Sequence, residues 1–316
     1  MSSNRTQIAL AGLLVVQLLL IVLVRSPFSD ASAPTEARLL MPELETLGVA
    51  KLELGGAEDA TLTLVKQADG WIVEQADGFP AASQKIDELL DELKGLQVRR
   101  PVVQSGRYHS TFKVADDEHE GRVQIFAEES SSPAVDLILG NSPNYQITHV
   151  RLQGESEVYE ARGIAPYNVS TNSGSWIEKQ LVDIDEETVT GIEVKNPEGS
   201  FELALEDGVW IVKAPTSLAG DELDQDKVTS LIRTASSIRI EEPVGPVDPA
   251  GQGLGETEVT LTIEGAAPVT VQVGAKVADK DTQRYIGKQG FDFAATVWDS
   301  SISKVVEQKL ADLLAG

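Results

Sequence analysis

Asp69-Gly70-Trp71-Ile72-Val73 returns later in the chain as Asp207-Gly208-Val209-Trp210-Ile211-Val212. Each phrase follows an alternating apolar stretch, Leu62-Thr63-Leu64-Val65 in one place and Phe201-Glu202-Leu203-Ala204-Leu205 in the other. Alternation puts one face of a strand in a core and the other in water, and Asp-Gly between two such runs signals a hairpin turn. Strand, tight turn, strand is therefore expected twice. Such a recurrence bears on architecture before any local motif is weighed, because residues equivalent in both places belong to the scaffold. Trp71 and Trp210 are on that ground expected in the core.

The match extends in both directions. Upstream, Val49 to Leu54 and Val189 to Val194 alternate in the same way. Downstream, Ser83 to Leu96 carries Ile86, Leu89, Leu90, Leu93 and Leu96 at helical spacing, and Leu223 to Ile238 carries Val228, Leu231, Ile232, Ala235 and Ile238. Each stretch predicts an amphipathic helix laid on a sheet. Val123 to Ala127 and Ala134 to Leu139 then correspond to Val259 to Ile263 and Pro268 to Val273, each set ending at a glycine, Gly140 or Gly274. His149-Val150-Arg151 lies opposite Tyr285-Ile286-Gly287, Gly154 opposite Gly290, and Val158-Tyr159 opposite Ala294-Ala295. A closing helix is predicted near Ser175 to Leu181 and again over Asp299 to Leu314. The fold class this predicts is α+β: two tandem, similar modules over residues 48–186 and 187–316, each an antiparallel sheet with an amphipathic helix packed on it. The alternative is two unrelated α+β domains with similar hairpins.

Ile8 to Val24 is apolar or small throughout apart from Gln17, with Arg5 before it and Arg25 after it. At about 1.5 Å per residue the run and its flanks span a bilayer core of about 30 Å. Residues 1–25 are accordingly expected to form a transmembrane helix, and 26–47 a Pro/Ser-rich tether followed by a short helix near Glu36 to Leu47. A cleaved signal peptide is the competing reading, since Ala31-Ser32-Ala33 has the small-x-small form of a cleavage site. Against it stand the length of the run, the distance of the site beyond it, and Pro34 after the cut. Arg5 and the α-amine against Arg25 favour an N-terminus inside, which places the bulk of the chain outside the cytoplasm, in the periplasm of a bacterium with the anchor in its inner membrane.

The 316 residues carry a net charge of -24 and no cysteine. Disulfides and thiolate or zinc-thiolate chemistry are excluded, and the charge excludes nucleic acid as a partner. His109, His119 and His149 form no i, i+4 pair, and no H-E-x-x-H, G-x-S-x-G or Walker loop is present. Gly251-Gln252-Gly253-Leu254-Gly255 precedes a strand, whereas a phosphate loop must open a helix. Ser110-Thr111-Phe112-Lys113 and Ser301-Ile302-Ser303-Lys304 satisfy S-x-x-K but lack companion S-D-N and K-T-G elements, and Ser300 or Ser301 is expected to cap the last helix. The acidic runs Asp116 to Glu120 and Asp221 to Asp226 lack an EF-hand pattern, and the second stands at a helix start, where carboxylates offset the dipole. No catalytic residue, metal site or cofactor is expected. Function is expected where the copies differ, beginning with His149 against Tyr285 and the acidic loop at Asp116 to Glu120.

The order of elements resembles the bacterial family called domain of unknown function 4340. It runs as anchor, strand pair with G-W or G-x-W, amphipathic helix, Pro101-Val102 or Pro243-Val244, Gly253-Leu254 before a strand, strands ending at Gly140 and Gly274, and the Tyr285 strand. The resemblance covers everything after the tether, in duplicate. The first unit departs from it with Phe112-Lys113-Val114 in place of Gly-Leu and His149 in place of Tyr. It implies an envelope protein with one N-terminal transmembrane helix, of a kind that in part accompanies gliding-motility-type ABC transporters, and carries over no catalytic residues. The expected function is a non-enzymatic, membrane-tethered scaffold that binds a protein partner in the envelope through an open sheet edge or an exposed aromatic. Two alternatives stand beside it: an envelope hydrolase or glycan-processing enzyme, and a small-ligand or peptidoglycan-binding module hinted at by Tyr108, Tyr145 and Tyr167.

Overall fold

Strands form where the sequence predicts them, and Phe79–Pro80 adds one that it does not. In the first sheet they are β1 (Val49–Gly56), β2 (Thr61–Gln67), β3 (Gly70–Val73) and β4 (Phe79–Pro80), then, after helix α1 (Ser83–Lys94), β5 (Gly121–Ala127), β6 (Val135–Leu139), β7 (Thr148–Leu152) and β8 (Tyr159–Ala161). The computed structural model describes residues 36–57 and 60–315. All elements named here lie in the unit Leu39–Gly316; of the other unit, Met1–Arg38, residues 36–38 are described. The anchor predicted at Ile8 to Val24 falls outside the described residues, among which no helix is long and apolar enough to cross a membrane.

The connecting strand β9 (Gln180–Asp183) leads to a second set: β10 (Val189–Asn196), β11 (Gly199–Glu206), β12 (Val209–Ala214), helix α2 (Gln225–Ser236), β13 (Ser237–Arg239), β14 (Pro243–Pro246), the single turn α3 (Pro249–Gln252), β15 (Thr257–Ile263), β16 (Val269–Val277), β17 (Lys280–Lys288) and β18 (Phe293–Trp298). The chain closes with α4 (Asp299–Val306) and α5 (Leu310–Leu313). The sheets are eight-stranded and antiparallel, ordered β8-β7-β6-β5-β1-β2-β3-β4 and β12-β11-β10-β15-β16-β17-β18-β14. This corrects the α+β expectation: the fold is mostly β. The two principal helices, α1 and α2, are 12 residues each, about three turns, against a sheet of eight strands apiece.

The two sheets share their register. Leu52 pairs with Leu64 and Ile125, as Ile192 pairs with Leu203 and Leu261. Leu139 pairs with Val150, as Val273 pairs with Ile286. Even the bulge recurs, between Val49 and Lys51 and between Val189 and Gly191. The Asp-Gly dipeptides, however, are not equivalent. Glu206 pairs with Val209, so Asp207-Gly208 is a two-residue loop with φ of 50° and 80°, as a type I′ turn requires. Gln67 pairs with Gly70, so the first loop is Ala68-Asp69 and Gly70 already belongs to the strand. What coincides is the tryptophan, Trp71 opposite Lys66 and Trp210 opposite Leu205. Both indoles are buried.

The helix predicted near Ser175 to Leu181 is absent. A 3-10 turn (Ser173–Ser175) gives way to extended chain, in which the Ala82 N–H donates to the Trp176 carbonyl at 2.7 Å and the Glu178 N–H to the Pro80 carbonyl at 2.9 Å. These ladder bonds, with β9 pairing to β13, occupy the backbone groups that a helix would need. The predicted last helix is likewise split. The Asn196 side-chain amide donates to the carbonyls of Val305 at 3.1 Å and Gln308 at 2.9 Å, which ends α4 and separates it from α5. No serine caps α4; the Ser301 hydroxyl donates back to the Trp298 carbonyl instead. Of the helix predicted near Glu36 to Leu47 there is one 3-10 turn, Pro42–Glu45.

Helix α1 buries Ile86, Leu89, Leu90 and Leu93, and α2 buries Val228, Leu231, Ile232 and Ala235. Together with the inner faces of both sheets they form one continuous apolar cluster. At the junction Phe79 packs edge-on against Phe291, centroids 5.6 Å apart, and at 5.4 Å against Phe293. Burying Phe79 there contributes about 2–3 kcal/mol.

Gly140 and Gly274 serve a second shared feature. A Cβ on Gly140 would strike the Phe112 carbonyl oxygen and stand 2.6 Å from Val114 Cγ1; one on Gly274 would strike the Gln252 carbonyl oxygen. In each case a turn closes over the glycine, with Val114 N–H donating to the His109 carbonyl at 2.9 Å and Leu254 N–H to the Pro249 carbonyl at 3.0 Å. Lys113 takes the left-handed conformation, φ 55°, that Gly253 takes at 63°. The Phe112-Lys113-Val114 stretch thus does the same job as Gln252-Gly253-Leu254 at some conformational cost.

Candidate functional site

A sheet edge left open presents unpaired N–H and C=O groups to whatever strand can reach it. Three of the four edges are closed or blunted. Beyond β4 the segment Trp176 to Glu178 runs alongside, with Ala81 bridged to Ile177. Beyond β8, Val103 bridges Val158: the Val158 N–H donates to the Val103 carbonyl at 3.0 Å and the Val102 N–H to the Val158 carbonyl at 2.7 Å. The third edge, β14, carries Pro243 and Pro246, which lack the donors a ladder needs.

The fourth edge, β12, is six residues long, and no strand among the described residues pairs with its outer side. Its backbone is met at one place, by a side chain. The Trp210 N–H donates to Gln225 Oε1 at 2.9 Å, and Gln225 Nε2 donates to the Trp210 carbonyl at 3.1 Å. Antiparallel alternation that turns Trp210 outward turns Val212 outward too. Beside this edge runs a groove of about 510 Å³, walled by β12 and by Ala219 to Leu223. Val209 at its mouth is 50% exposed.

The first sheet shows what is missing here. Val73, paired to Leu64, holds the register position that Val212 holds opposite Leu203. Val73 is paired on its outer side with Phe79, and Ile72 with Pro80. Counting back from the bridges Ala81–Ile177 and Leu223–Leu314, the residues that correspond to Phe79-Pro80 are Asp221-Glu222. Both are exposed, and neither pairs with β12. An apolar dipeptide has become an acidic one, and the strand it formed is gone.

Of the residues singled out by sequence, Asp221 and Glu222 stand at this groove, exposed, and most of the others are elsewhere and already engaged. His149 is buried, with Nδ1 2.7 Å from Asn141 Oδ1 and its ring edge-on to Phe112 at 4.6 Å. Arg151, also buried, donates from Nε to the Val114 carbonyl at 2.7 Å and from Nη1 to the Glu155 carbonyl at 3.2 Å, and pairs through Nη2 with Asp116. The bond from Arg151 holds the Asp116 carboxyl below its ordinary range, against partial burial. In the acidic loop Glu118 receives Lys113 Nζ at 2.6 Å. The acidic loop and His149, where the two sheets differ in sequence, are therefore parts of a loop clasp.

Neither S-x-x-K pair meets. Lys113 is committed to Glu118, and Lys304 Nζ donates to Ser230 at 2.7 Å while Ser301 bonds Trp298. A nucleophile needs its base within hydrogen-bond reach, so neither pair has a serine activated by its lysine. Gly251 to Gly255 closes over Gly274, and Asp224 caps α2 by accepting from the Lys227 N–H at 3.2 Å. Among the described residues no three His, Asp or Glu side chains gather as metal ligands. A wider hollow of about 730 Å³ lies between α2 and the closing helices, but its Lys227 and Lys304 already hold the Asp312 carbonyl and Ser230. Tyr145 and Tyr167 are 88% and 79% exposed on loops.

A family model described as Domain of unknown function (DUF4340) matches residues 71–254, more than half of the chain. The chain belongs to this family. The match is a single stretch that opens at Trp71 in the first sheet and closes at Leu254 in the second, not one copy per sheet as the sequence reading expected. Comparison with curated proteins and with solved structures returned no match. In this DUF4340 protein the β12 edge was missed by sequence reasoning because a strand's neighbours are a tertiary property. One signal was available: Asp221-Glu222 aligned against Phe79-Pro80.

Proposed function

We propose that the protein is a non-enzymatic, membrane-tethered component of the bacterial envelope that holds a protein partner through the outer edge of β12. The observation that carries this reading is the six-residue strand left open where the first sheet is closed. The engagement of His149, Arg151, Asp116 and both S-x-x-K lysines in structural bonds supports a binding role over a hydrolytic one. The apolar run Ile8 to Val24 supports the tether and an extracytoplasmic location, and the resemblance read from the order of elements motivates an ABC-transporter-type complex as the partner.

The test is affinity purification of the full chain from gently solubilised membranes, in parallel with a Val209→Lys variant that places a charge at the mouth of the groove. A stoichiometric envelope protein is expected with the native chain and is depleted with the variant. Recovery of no protein partner, or equal recovery with both, refutes the proposal.

A further inference from the structure

We infer that the β12 edge takes an extended, positively charged peptide segment, which adds as an antiparallel strand and sets a large apolar side chain opposite Val212. This rests on the reading of the protein as an envelope interaction module and names the chemistry of its partner.

The first sheet supplies the template. There the position outside Val73 is filled by Phe79, 1% exposed, whose side chain lies on the core face of its strand and seals the end of the sheet. Outside Val212 the corresponding residue is Asp221, which is exposed and does not pair with β12, and the groove of about 510 Å³ is left beside Trp210, Val212 and Leu223. An incoming strand finds outward backbone groups at Val212, next to the Trp210 pair that Gln225 already meets. Main-chain bonds of this kind give affinity, and the pocket beside them selects alternate side chains.

Charge selects the flanks. Asp221 and Glu222 are exposed on the groove wall, and Lys213, the cation among the lining residues, is tied to Glu206. The chain as a whole carries -24, so a basic segment is drawn to this edge and a second copy of the chain is repelled. Lysine or arginine beside the apolar residue is the complement of this rim.

The test uses the full chain in detergent and three labelled decapeptides of alternating pattern. One has lysine flanks and a central phenylalanine, the second replaces that phenylalanine with serine, and the third has glutamate flanks. Fluorescence anisotropy is expected to detect the first alone, with backbone amide exchange slowed at Val209 to Ala214. The double variant Asp221→Phe/Glu222→Pro rebuilds the first sheet's own edge strand and is expected to abolish binding. Asp221→Lys/Glu222→Lys, at two exposed positions that tolerate change, is expected to weaken it by roughly tenfold and to reduce its salt dependence. Equal binding of all three peptides, binding without protection of β12, or no binding by any peptide overturns the inference. In the last case a partner recovered from membranes and lost with Val209→Lys would leave the interaction module standing and refute only the peptide chemistry.

Discussion

Replacing Gly274 by alanine tests the closest backbone approach in the second sheet. The added Cβ would overlap the Gln252 carbonyl oxygen, with the Gly253 carbonyl carbon and the Leu254 nitrogen each 3.2 Å away. All three are main-chain atoms, so no side chain can rotate to make room. The Asp248-capped turn must move as a body, loosening the bonds from Gln252 N–H to the Asp248 carbonyl at 2.9 Å and from Leu254 N–H to the Pro249 carbonyl at 3.0 Å. Overpacking of this kind costs about 1–3 kcal/mol, and a weakened backbone bond adds about 1 kcal/mol. The stiffer unfolded chain returns about 0.4–1 kcal/mol. A net loss of about 2 kcal/mol is expected, which at a urea m-value of about 3 kcal/mol/M lowers the midpoint by roughly 0.7 M. Gly140→Ala, facing the Phe112 carbonyl, is expected to behave alike. Gly48→Ala is the control, since nothing lies within 4 Å of its Cβ position and its φ is not positive, and its midpoint should hold or rise slightly. A Gly274→Ala midpoint within experimental error of Gly48→Ala would refute the close-approach argument.

Arg151→Met leaves the carbonyls of Val114 and Glu155 without their buried donor and should cost about 3 kcal/mol, read from the same urea midpoints. Gln225→Ala strips the two side-chain bonds from Trp210; a loss of about 1–2 kcal/mol is expected, with faster amide exchange at Trp210 and unchanged exchange in the first sheet. Acid should destabilise the fold through two aspartates. The bond from Arg151 lowers the Asp116 carboxyl, and at Asp299 burial pushes upward but is outweighed by Arg284 at 2.5 Å and Lys276 at 3.2 Å. Because both folded values lie below the unfolded one of about 3.9, their contribution is complete above that pH and is lost as pH falls through the folded values. Asp299→Asn should therefore lose stability at pH 7 yet show a shallower decline on acidification, measured by urea titration from pH 7 down to pH 3.

Long alternating runs and helical spacing were readable because local pattern and tertiary placement agree there. Ser83–Lys94 and Gln225–Ser236 formed where their apolar residues recur at three and four, and strands formed around Leu52 and Ile192 where apolar residues alternate. Trp176 to Leu181 was misread because a short apolar run does not distinguish helix from strand; its partners, Pro80, Ala82 and β13, lie far away in sequence. The class was misjudged for a related reason: α1 and α2 have the strongest periodic signature but account for few of the elements. The turn chemistry was half readable, since Asp207-Gly208 is a loop and Asp69-Gly70 straddles one. The open edge was hidden because Val209 to Val212 reads like any inner strand, and its exposure depends on Asp221 failing to do what Phe79 does.

The phenylalanine junction also bears on whether the chain can polymerise. Phe79 of the first sheet meets Phe291 and Phe293 of the second. Aligned through Gly154 and Gly290, both at positive φ, the counterparts of Phe291 and Phe293 on the first sheet are Glu155 and Glu157; the counterpart of Phe79 on the second is Asp221. Each free end therefore presents carboxylates where the joined ends present rings. Stacking another molecule in the same head-to-tail sense would bury unpaired like charges at the contact. The acidic ends act as chain terminators: fibre growth through this joint is opposed, and the protein can reach high concentration without assembling on itself through it.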